Sequence, residues 1–128
     1  MRSSARWKRK IIMHEVSIAL GMAEELMRIA RDNQARKITH IKLKIGKMSG
    51  IVTDSLIFAF DAIKSDYPLL SSALISIEEV PLVFKCSQCG ENFEEDNLSF
   101  SSCPECKSYS LKLVSGEEQH IENVEVEV

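Results

Sequence analysis

Apolar residues in the first third of the chain recur with the period of a helix. From Val16 to Ala30 they fall three or four residues apart, so they line one side of an amphipathic helix. The members of this stripe are Val16, Ala19, Leu20, Ala23, Leu26, Met27 and Ala30. Asn33 is expected to end the helix, because Asn tolerates the left-handed conformation that often follows the last turn.

Three later segments alternate apolar and polar residues, which is typical of strands that bury one face. Residues 41–45 place Ile and Leu between lysines, and residues 75–77 place two isoleucines on one side. Residues 120–128 end in an alternation of valine and glutamate. We therefore expect three strands that belong to one sheet.

A second helix is predicted between the first two strands. Gly46 to Gly50 form a turn, and Thr53 or Asp54 can cap the helix that follows. The apolar side of that helix contains Leu56, Ile57, Phe60 and Ile63. Pro68 is expected to end it. The whole pattern predicts an α+β fold in which two helices cover one face of a three-stranded sheet.

The four cysteines of the chain form two Cys-x-x-Cys pairs, Cys86 with Cys89 and Cys103 with Cys106. Two tight turns of this kind can place four thiolates at the corners of a tetrahedron around one metal ion. Zinc accepts that geometry and has no redox chemistry of its own. Because four sulfurs leave no open position for water or substrate, such a zinc would be structural.

Two other interpretations of the cysteines are a pair of disulfides and a redox-active Cys-x-x-Cys. Nothing marks the chain as secreted, and thiols in the cytosol are reduced by default, which disfavours disulfides. A redox motif normally occurs once, beside a βαβ pattern. The four-cysteine metal site is the interpretation that fits both pairs.

The cysteine segment sets the expected domain organisation. Residues 81–115 are predicted to form a zinc ribbon inserted between the second and third strands, and residues 13–80 and 116–128 to form the α+β domain. Residues 1–12 carry five basic residues and no acid. We expect them to be a disordered extension or to be absent from a protein translated from Met13. A third interpretation is a basic arm that contacts anionic partners.

The charge distribution disfavours a nucleic-acid binder. The net charge is −3, and the +5 of residues 1–12 leaves −8 on the remaining 116 residues. A nucleic-acid-binding fold normally carries a basic face. No apolar run approaches the ~20 residues of a membrane helix, and the N-terminus lacks the apolar core of a secretory signal. We expect a cytoplasmic protein with neither nucleic acid nor membrane as a partner.

Three histidines are further candidates for chemistry. His40 falls in the first strand, where it is expected to be hydrogen-bonded or exposed, and His120 opens the last strand among glutamates. His14 stands immediately before the predicted first helix, between Met13 and Glu15. The sequence has no nucleophile–base pair in a recognisable context, no Gly-rich phosphate loop and no HExxH motif. Enzyme activity is therefore not predicted.

The segment Met13-His14-Glu15-Val16-Ser17-Ile18-Ala19, together with the two distant cysteine pairs, resembles the HypA/HybF family. These proteins are nickel metallochaperones of nickel–iron hydrogenase maturation. The resemblance covers residues 13–128, including Ile-Lys-Leu-Lys-Ile-Gly-Lys-Met-Ser-Gly at 41–50 and Phe-Ala-Phe at 58–60. The Met-His-Glu triplet alone is not specific, but joined to the cysteine pairs in this order it is.

The resemblance implies that His14 is a nickel ligand, that Glu15 assists, and that the amine of Met13 contributes where the chain begins there. Ni(II) favours square-planar coordination by nitrogen and oxygen, which an imidazole beside backbone nitrogens can offer. The resemblance also implies that Cys86, Cys89, Cys103 and Cys106 hold zinc. The 12-residue extension places a peptide bond where the family has a free Met amine.

The resemblance further implies a delivery pathway. Nickel would be the transient cargo, a GTPase of the HypB type the docking partner, and a hydrogenase large-subunit precursor the recipient. Family members can also serve urease. The chain is expected to be a monomer or a weak homodimer.

Two other functions fit parts of the sequence. A zinc-ribbon adaptor or transcription-related module would carry no nickel, although the acidic cysteine segment disfavours it, and a nickel titration would separate the two. An iron-binding, rubredoxin-like redox protein would be revealed by its native metal and visible absorption.

Overall fold

The computed structural model describes the backbone of residues 2–95 and 102–128, and the side chains of those residues from His14 onward. The helices are α1 (Arg2–Asp32) and α2 (Thr53–Ile63), followed by short 3-10 turns at Lys64–Asp66 and Pro68–Leu70. The strands are β1 (Lys37–Gly46), β2 (Leu74–Val80), β3 (Leu82–Cys86), β4 (Asn92–Glu95), β5 (Leu111–Ser115) and β6 (Gln119–Glu127).

The three strands predicted from alternation form one sheet in the order β2-β1-β6. Arg36 N donates to Glu127 O and Gly46 N donates to Glu118 O, both at 2.7 Å, so β6 runs antiparallel to β1. The apolar residues of the predicted alternation, Ile41, Leu43 and Ile45, are buried as expected, and so is Ile38 at the start of β1. Helices α1 and α2 pack against each other. The α+β class is confirmed.

Helix α1 is longer than the apolar stripe indicated. It begins at Arg2, so the residues interpreted as a disordered extension are helical from Arg2 onward, and His14 lies inside the helix rather than before it. No Gly or Pro interrupts the chain before Gly21, and the Arg, Lys and Ala residues at the start are good helix formers. An apolar stripe indicates only the part of a helix that has a buried face. Helical turns that have no such face therefore cannot be predicted from it.

Two residues of α1 differ from the predicted stripe. Leu20 is 40% exposed, although it belongs to the stripe, while Met22 is buried and was not included. The helix ends at Asp32, directly before Asn33, as predicted, but Asn33 is not the left-handed residue, and its side chain instead donates to Ile29 O at 2.8 Å. The left-handed residue that follows is Gln34, with φ of 53°.

A second three-stranded sheet carries the cysteines, in the order β4-β3-β5. Both neighbours of β3 run antiparallel to it, and Phe84 lies opposite Phe93 on one side and Leu113 on the other. The two phenylalanine rings are 6.1 Å apart between centroids. This aromatic pair gives the small sheet an apolar contact outside the cysteine turns. Residues 96–101 of the predicted ribbon lie outside the described residues.

The chain divides into two compact units. Unit 1 comprises Met1–Leu43, Ile51–Ile77 and Ile121–Val128, and unit 2 comprises Lys44–Gly50 and Glu78–His120. The division predicted from the sequence likewise separates the cysteine segment from the helices, and its exact boundaries stay a prediction. Within the described part of the chain, no helix is both long enough and apolar enough to cross a lipid bilayer.

Backbone hydrogen bonds explain why the turn after β1 belongs to unit 2. Lys47 N donates to Val80 O at 3.0 Å, and Met48 N donates to Gly116 O at 2.7 Å. The approach is so close that a Cβ on Gly46 would lie 2.0 Å from Gly116 O. Gly116 itself has φ of 123°, which side-chain-bearing residues rarely adopt. Both glycines are therefore required where they stand.

Candidate metal centres

The two cysteine turns of unit 2 have the same backbone hydrogen bonds. In the first, Cys86 N donates to Glu91 O at 2.8 Å and Gly90 N donates to Cys86 O at 2.9 Å. In the second, Cys103 N donates to Ser108 O at 2.8 Å, and the amide of residue 107 donates to Cys103 O at 2.9 Å. Each turn thus directs two thiols to one side, as the spacing predicted.

The fifth residue of each turn adopts a left-handed conformation. Gly90 has φ of 81°, which glycine adopts without strain. Lys107 has φ of 66° at the corresponding position of the second turn. A left-handed conformation costs a non-glycine residue roughly 1–2 kcal/mol, so the second turn is strained where the first is not.

The four sulfur atoms form one cluster. Cys86 Sγ is 3.5 Å from Cys106 Sγ, and Cys89 Sγ is 3.6 Å from Cys103 Sγ. All four lie within 4.8 Å of one another, and all four thiols are free. A disulfide bond is ~2.05 Å long, so the disulfide interpretation is wrong. Four Zn–S bonds of ~2.3 Å in a tetrahedron place sulfurs about 3.8 Å apart, which this cluster nearly matches.

The cluster accepts one negative charge far more readily than several. The backbone N–H of Cys89 stabilises the Cys86 thiolate and lowers the pKa of Cys86 to about 6. For Cys89, the N–H of Glu91 acts to lower the pKa, but burial and the other three sulfurs raise it to about 12. The pKa of Cys106 is also raised, since the Cys86 sulfur and burial together outweigh the N–H of Ser108. A divalent cation at the centre would supply the missing charge compensation.

The predicted nickel residues lie on α1, in unit 1. His14 is exposed, with 62% of its side chain accessible, and its Nδ1 lies 3.9 Å from Glu15 Oε2. Glu15 is 1% exposed and is the buried charged residue among those described. The side chain of Met13 lies outside the described side chains. The structure thus brings His14 and Glu15 together, with one at the surface and the other in the interior.

Glu15 contacts the start of α2, a contact that the sequence analysis missed. Val52 N donates to Glu15 Oε2 at 3.2 Å. Val52, not Thr53 or Asp54, is the N-cap of α2, and no side chain of the cap accepts a hydrogen bond there. The second carboxylate oxygen, Oε1, has no hydrogen-bond partner among the described residues. The capping prediction was wrong because it considered only residues adjacent in sequence.

The other histidines do not form a comparable centre. His40 is exposed, and its Nδ1 is 3.2 Å from Glu125 Oε2, beside a cavity of about 250 Å³ on the sheet. His120 is exposed at the start of β6. Among the described residues, the only group of three or more metal-ligating side chains is the cysteine cluster. His40 is a hydrogen-bonded strand histidine, as predicted.

Comparison with known proteins decides the family. Residues 13–126 match the family model described as "Hydrogenase/urease nickel incorporation, metallochaperone, hypA". The chain belongs to the HypA family. The hydrogenase maturation factor HypA of Pelodictyon phaeoclathratiforme is 40% identical over 115 residues, which cover 90% of this chain and 97% of that one. The HypA of Wolinella succinogenes is 36% identical, with 90% and 96% covered.

Two solved HypA structures share the fold. The solution structure of the Ni metallochaperone HypA from Helicobacter pylori superposes with a TM-score of 0.63 at 22% identity, covering 88% of this chain and 97% of that one. A second solution structure of a HypA protein has a TM-score of 0.69 at 24% identity, with 89% and 96% covered. HypA proteins are hydrogenase-maturation metallochaperones, which confirms the prediction that the chain is not an enzyme.

Proposed function

We propose that this chain binds Ni(II) at His14 and delivers it, with a GTPase of the HypB type, to a hydrogenase large-subunit precursor. The observation that carries the proposal is the pairing of an exposed imidazole with a buried carboxylate at the position where the family match begins. An imidazole at the surface can both capture and release a metal ion. A carrier needs both steps, whereas a closed site favours retention.

The remaining parts of the proposal follow from the donor types. His14 supplies a nitrogen ligand, Glu15 belongs to the same site, and the amine of Met13 adds a second nitrogen in a chain that begins there. The four cysteine sulfurs would hold a structural zinc ion, since they leave no position open. The protein would act in the cytoplasm as a monomer or weak homodimer, and urease maturation is a further destination for its nickel.

A comparison of three histidine variants tests the nickel assignment. His14→Ala is expected to weaken nickel binding at least about tenfold, because loss of even an indirect metal contact has that effect. Its fold and zinc content should not change, since truncating an exposed side chain usually alters stability by less than about 0.5 kcal/mol. The matched controls are His40→Ala and His120→Ala, which remove other exposed imidazoles. Isothermal calorimetry with NiCl₂ measures all three.

The outcomes separate the candidate functions. If His120→Ala or His40→Ala abolishes binding while His14→Ala does not, the site is wrong. If the unaltered chain takes up zinc but no nickel, the nickel function fails and a zinc-ribbon adaptor becomes the better interpretation.

A further inference from the structure

Glu15 is buried in an unusual way for a charged residue. Its neighbour His14 is exposed, yet Glu15 itself is 1% exposed. Removing a carboxylate from water costs several kcal/mol unless hydrogen bonds replace the lost hydration. One oxygen, Oε2, has such a bond from Val52 N, and the other has none among the described residues. The single bond to Val52 is therefore the contact that Glu15 retains in the interior.

The start of α2 needs an acceptor from elsewhere. The first amide groups of a helix have no partner within it, and a capping box satisfies the N-cap amide with a Glu or Gln at the third helical position. Here the N-cap is Val52, whose side chain cannot accept a hydrogen bond, and the third helical position is Ser55. The Glu15 carboxylate accepts a hydrogen bond from the Val52 amide, which is the contact that the glutamate of a capping box makes.

The same carboxylate also has the right charge for this place. A helix carries a partial positive charge at its N-terminus, and a carboxylate there stabilises it, more so when water is excluded. Oε2, the oxygen that accepts from Val52 N, is also the one 3.9 Å from His14 Nδ1. One oxygen atom thus lies between the imidazole on α1 and the N-cap residue of α2.

From these contacts we infer that Glu15 is a positioning residue: it caps α2 from α1 and so holds His14 at a fixed place beside that helix. Its effect on nickel is exerted through the Val52 amide and not through a metal bond. The nickel part of this inference rests on the function proposed above. The capping part does not, because it predicts a coupling between Glu15 and Val52 in protein that holds zinc but no nickel.

Four variants separate the two sides of this contact. Glu15→Ala removes the acceptor, and Glu15→Gln keeps one. Val52→Pro removes the donor, because proline has no N–H, and the φ of −84° at Val52 is near the range proline adopts. Val52→Ala is the matched control, since it keeps the N–H and Val52 is 49% exposed.

In protein that is loaded with zinc but free of nickel, Glu15→Ala and Val52→Pro should each lower the midpoint of thermal unfolding, and the double variant should be no less stable than the less stable of the two single variants. Such non-additivity is the mark of two residues that share one contact. Glu15→Gln and Val52→Ala should unfold near the unaltered protein. Additive losses in the double variant would overturn the inference whatever the nickel results.

Nickel titration then tests the positioning role. Glu15→Ala and Val52→Pro should each weaken binding about tenfold, the size typical for residues that orient a ligand, and Glu15→Gln should restore it. At saturating nickel the visible absorption bands of Ni(II) should be the same in all variants. The contrary result has three parts: Glu15→Gln binds nickel as weakly as Glu15→Ala, Glu15→Gln shifts the Ni(II) absorption bands, and Val52→Pro binds nickel normally. In that case Glu15 is a nickel ligand and the inference is wrong.

These results remain distinct from a failure of the proposed function. The proposed nickel site is wrong if the unaltered protein binds no nickel, or if His14→Ala binds nickel as tightly as the unaltered protein. In either case the unfolding data still decide whether Glu15 and Val52 are coupled.

Discussion

The cysteine cluster and the His14 segment place their candidate metal-binding side chains by different means. Each cysteine pair is held by backbone hydrogen bonds within a turn of a few residues, and the two turns repeat the same bonds. His14 stands on one helix, and the carboxylate next to it contacts a residue 37 positions later. The first arrangement is closed and local, the second is open and depends on tertiary packing. Retention suits the former and transfer suits the latter.

The largest effect is expected from the loss of one cysteine of the cluster. Cys89→Ser should abolish zinc retention and unfold the ribbon, because zinc binding energy in such sites, about 10–16 kcal/mol, is folding energy. The helical signal in circular dichroism should persist, since α1 and α2 belong to unit 1. Elemental analysis after dialysis measures the zinc. Ser87→Ala is the control, because Ser87 contacts Ser110 only through its backbone amide among the bonds described. Full zinc retention in Cys89→Ser would contradict the structural role.

A second variant asks whether metal alone holds unit 2 together. Gly46→Ala should destabilise the protein by about 3 kcal/mol or more, because its Cβ would lie 2.0 Å from Gly116 O and no flexible atom can move aside. Gly21→Ala is the matched control. A Cβ on Gly21 has no atom within 4 Å, so in a helix it should stabilise by roughly 0.5–1 kcal/mol. Urea unfolding with zinc present compares them, and equal stability of the two would refute the close approach as a requirement.

A third test concerns nickel binding at the His14 segment. A chain that begins at Met13 should bind nickel on the order of tenfold more tightly than the full chain, about 1.4 kcal/mol. In a chain that begins at Met13, the His14 amide lies in the first turn of the helix and has no carbonyl four residues earlier to accept its hydrogen bond. That chain also has a free amine at Met13. It also lacks five cationic residues. The difference should narrow in high salt, which screens charge. Parallel calorimetry decides it, and equal affinities would exclude the amine as a ligand.

The smallest effect distinguishes the two cysteine turns from each other. Lys107→Gly should stabilise zinc-loaded protein by up to about 1 kcal/mol, because glycine adopts the φ of 66° without strain. Gly90→Ala, at the corresponding position, should destabilise by a similar amount. Among the described residues, the Lys107 side chain makes one hydrogen bond, to Pro104 O at 3.4 Å, so its loss should cost little. Thermal unfolding of both variants measures the difference, and a loss of stability in Lys107→Gly would show that the side chain has another role.

The sequence predicted the clustering of the four cysteines because short spacing specifies it. Four cysteines in two pairs leave little freedom once the turns form, and the alternation of β1 was equally local. Lys107 was missed, since lysine gives no signal of a left-handed conformation. Its position could have indicated the left-handed conformation, because Lys107 follows the first cysteine of its pair by four residues, as Gly90 does.

The open site was only partly predictable. The triplet at Met13 to Glu15, together with the cysteine pairs, indicated the family, but nothing nearby in the sequence indicates that Glu15 is buried or that it contacts Val52. Contacts of this kind depend on how α1 and α2 pack, which periodicity alone does not specify. The start of α1 was missed for a related reason, because its first residues lack an apolar stripe.

Exposure differs within each cysteine pair, and this difference would give exchange of a bound metal a direction. Cys86 and Cys103 are buried, whereas Cys89 and Cys106 are exposed. A chelator, an oxidant or a competing thiol in solution therefore meets the outer two sulfurs first. The bonds from a metal ion to the two buried sulfurs would be the last to break on release and the first to form on binding. Ion turnover at this centre should accordingly proceed stepwise through one solvent-facing edge, at a rate set by the outer pair.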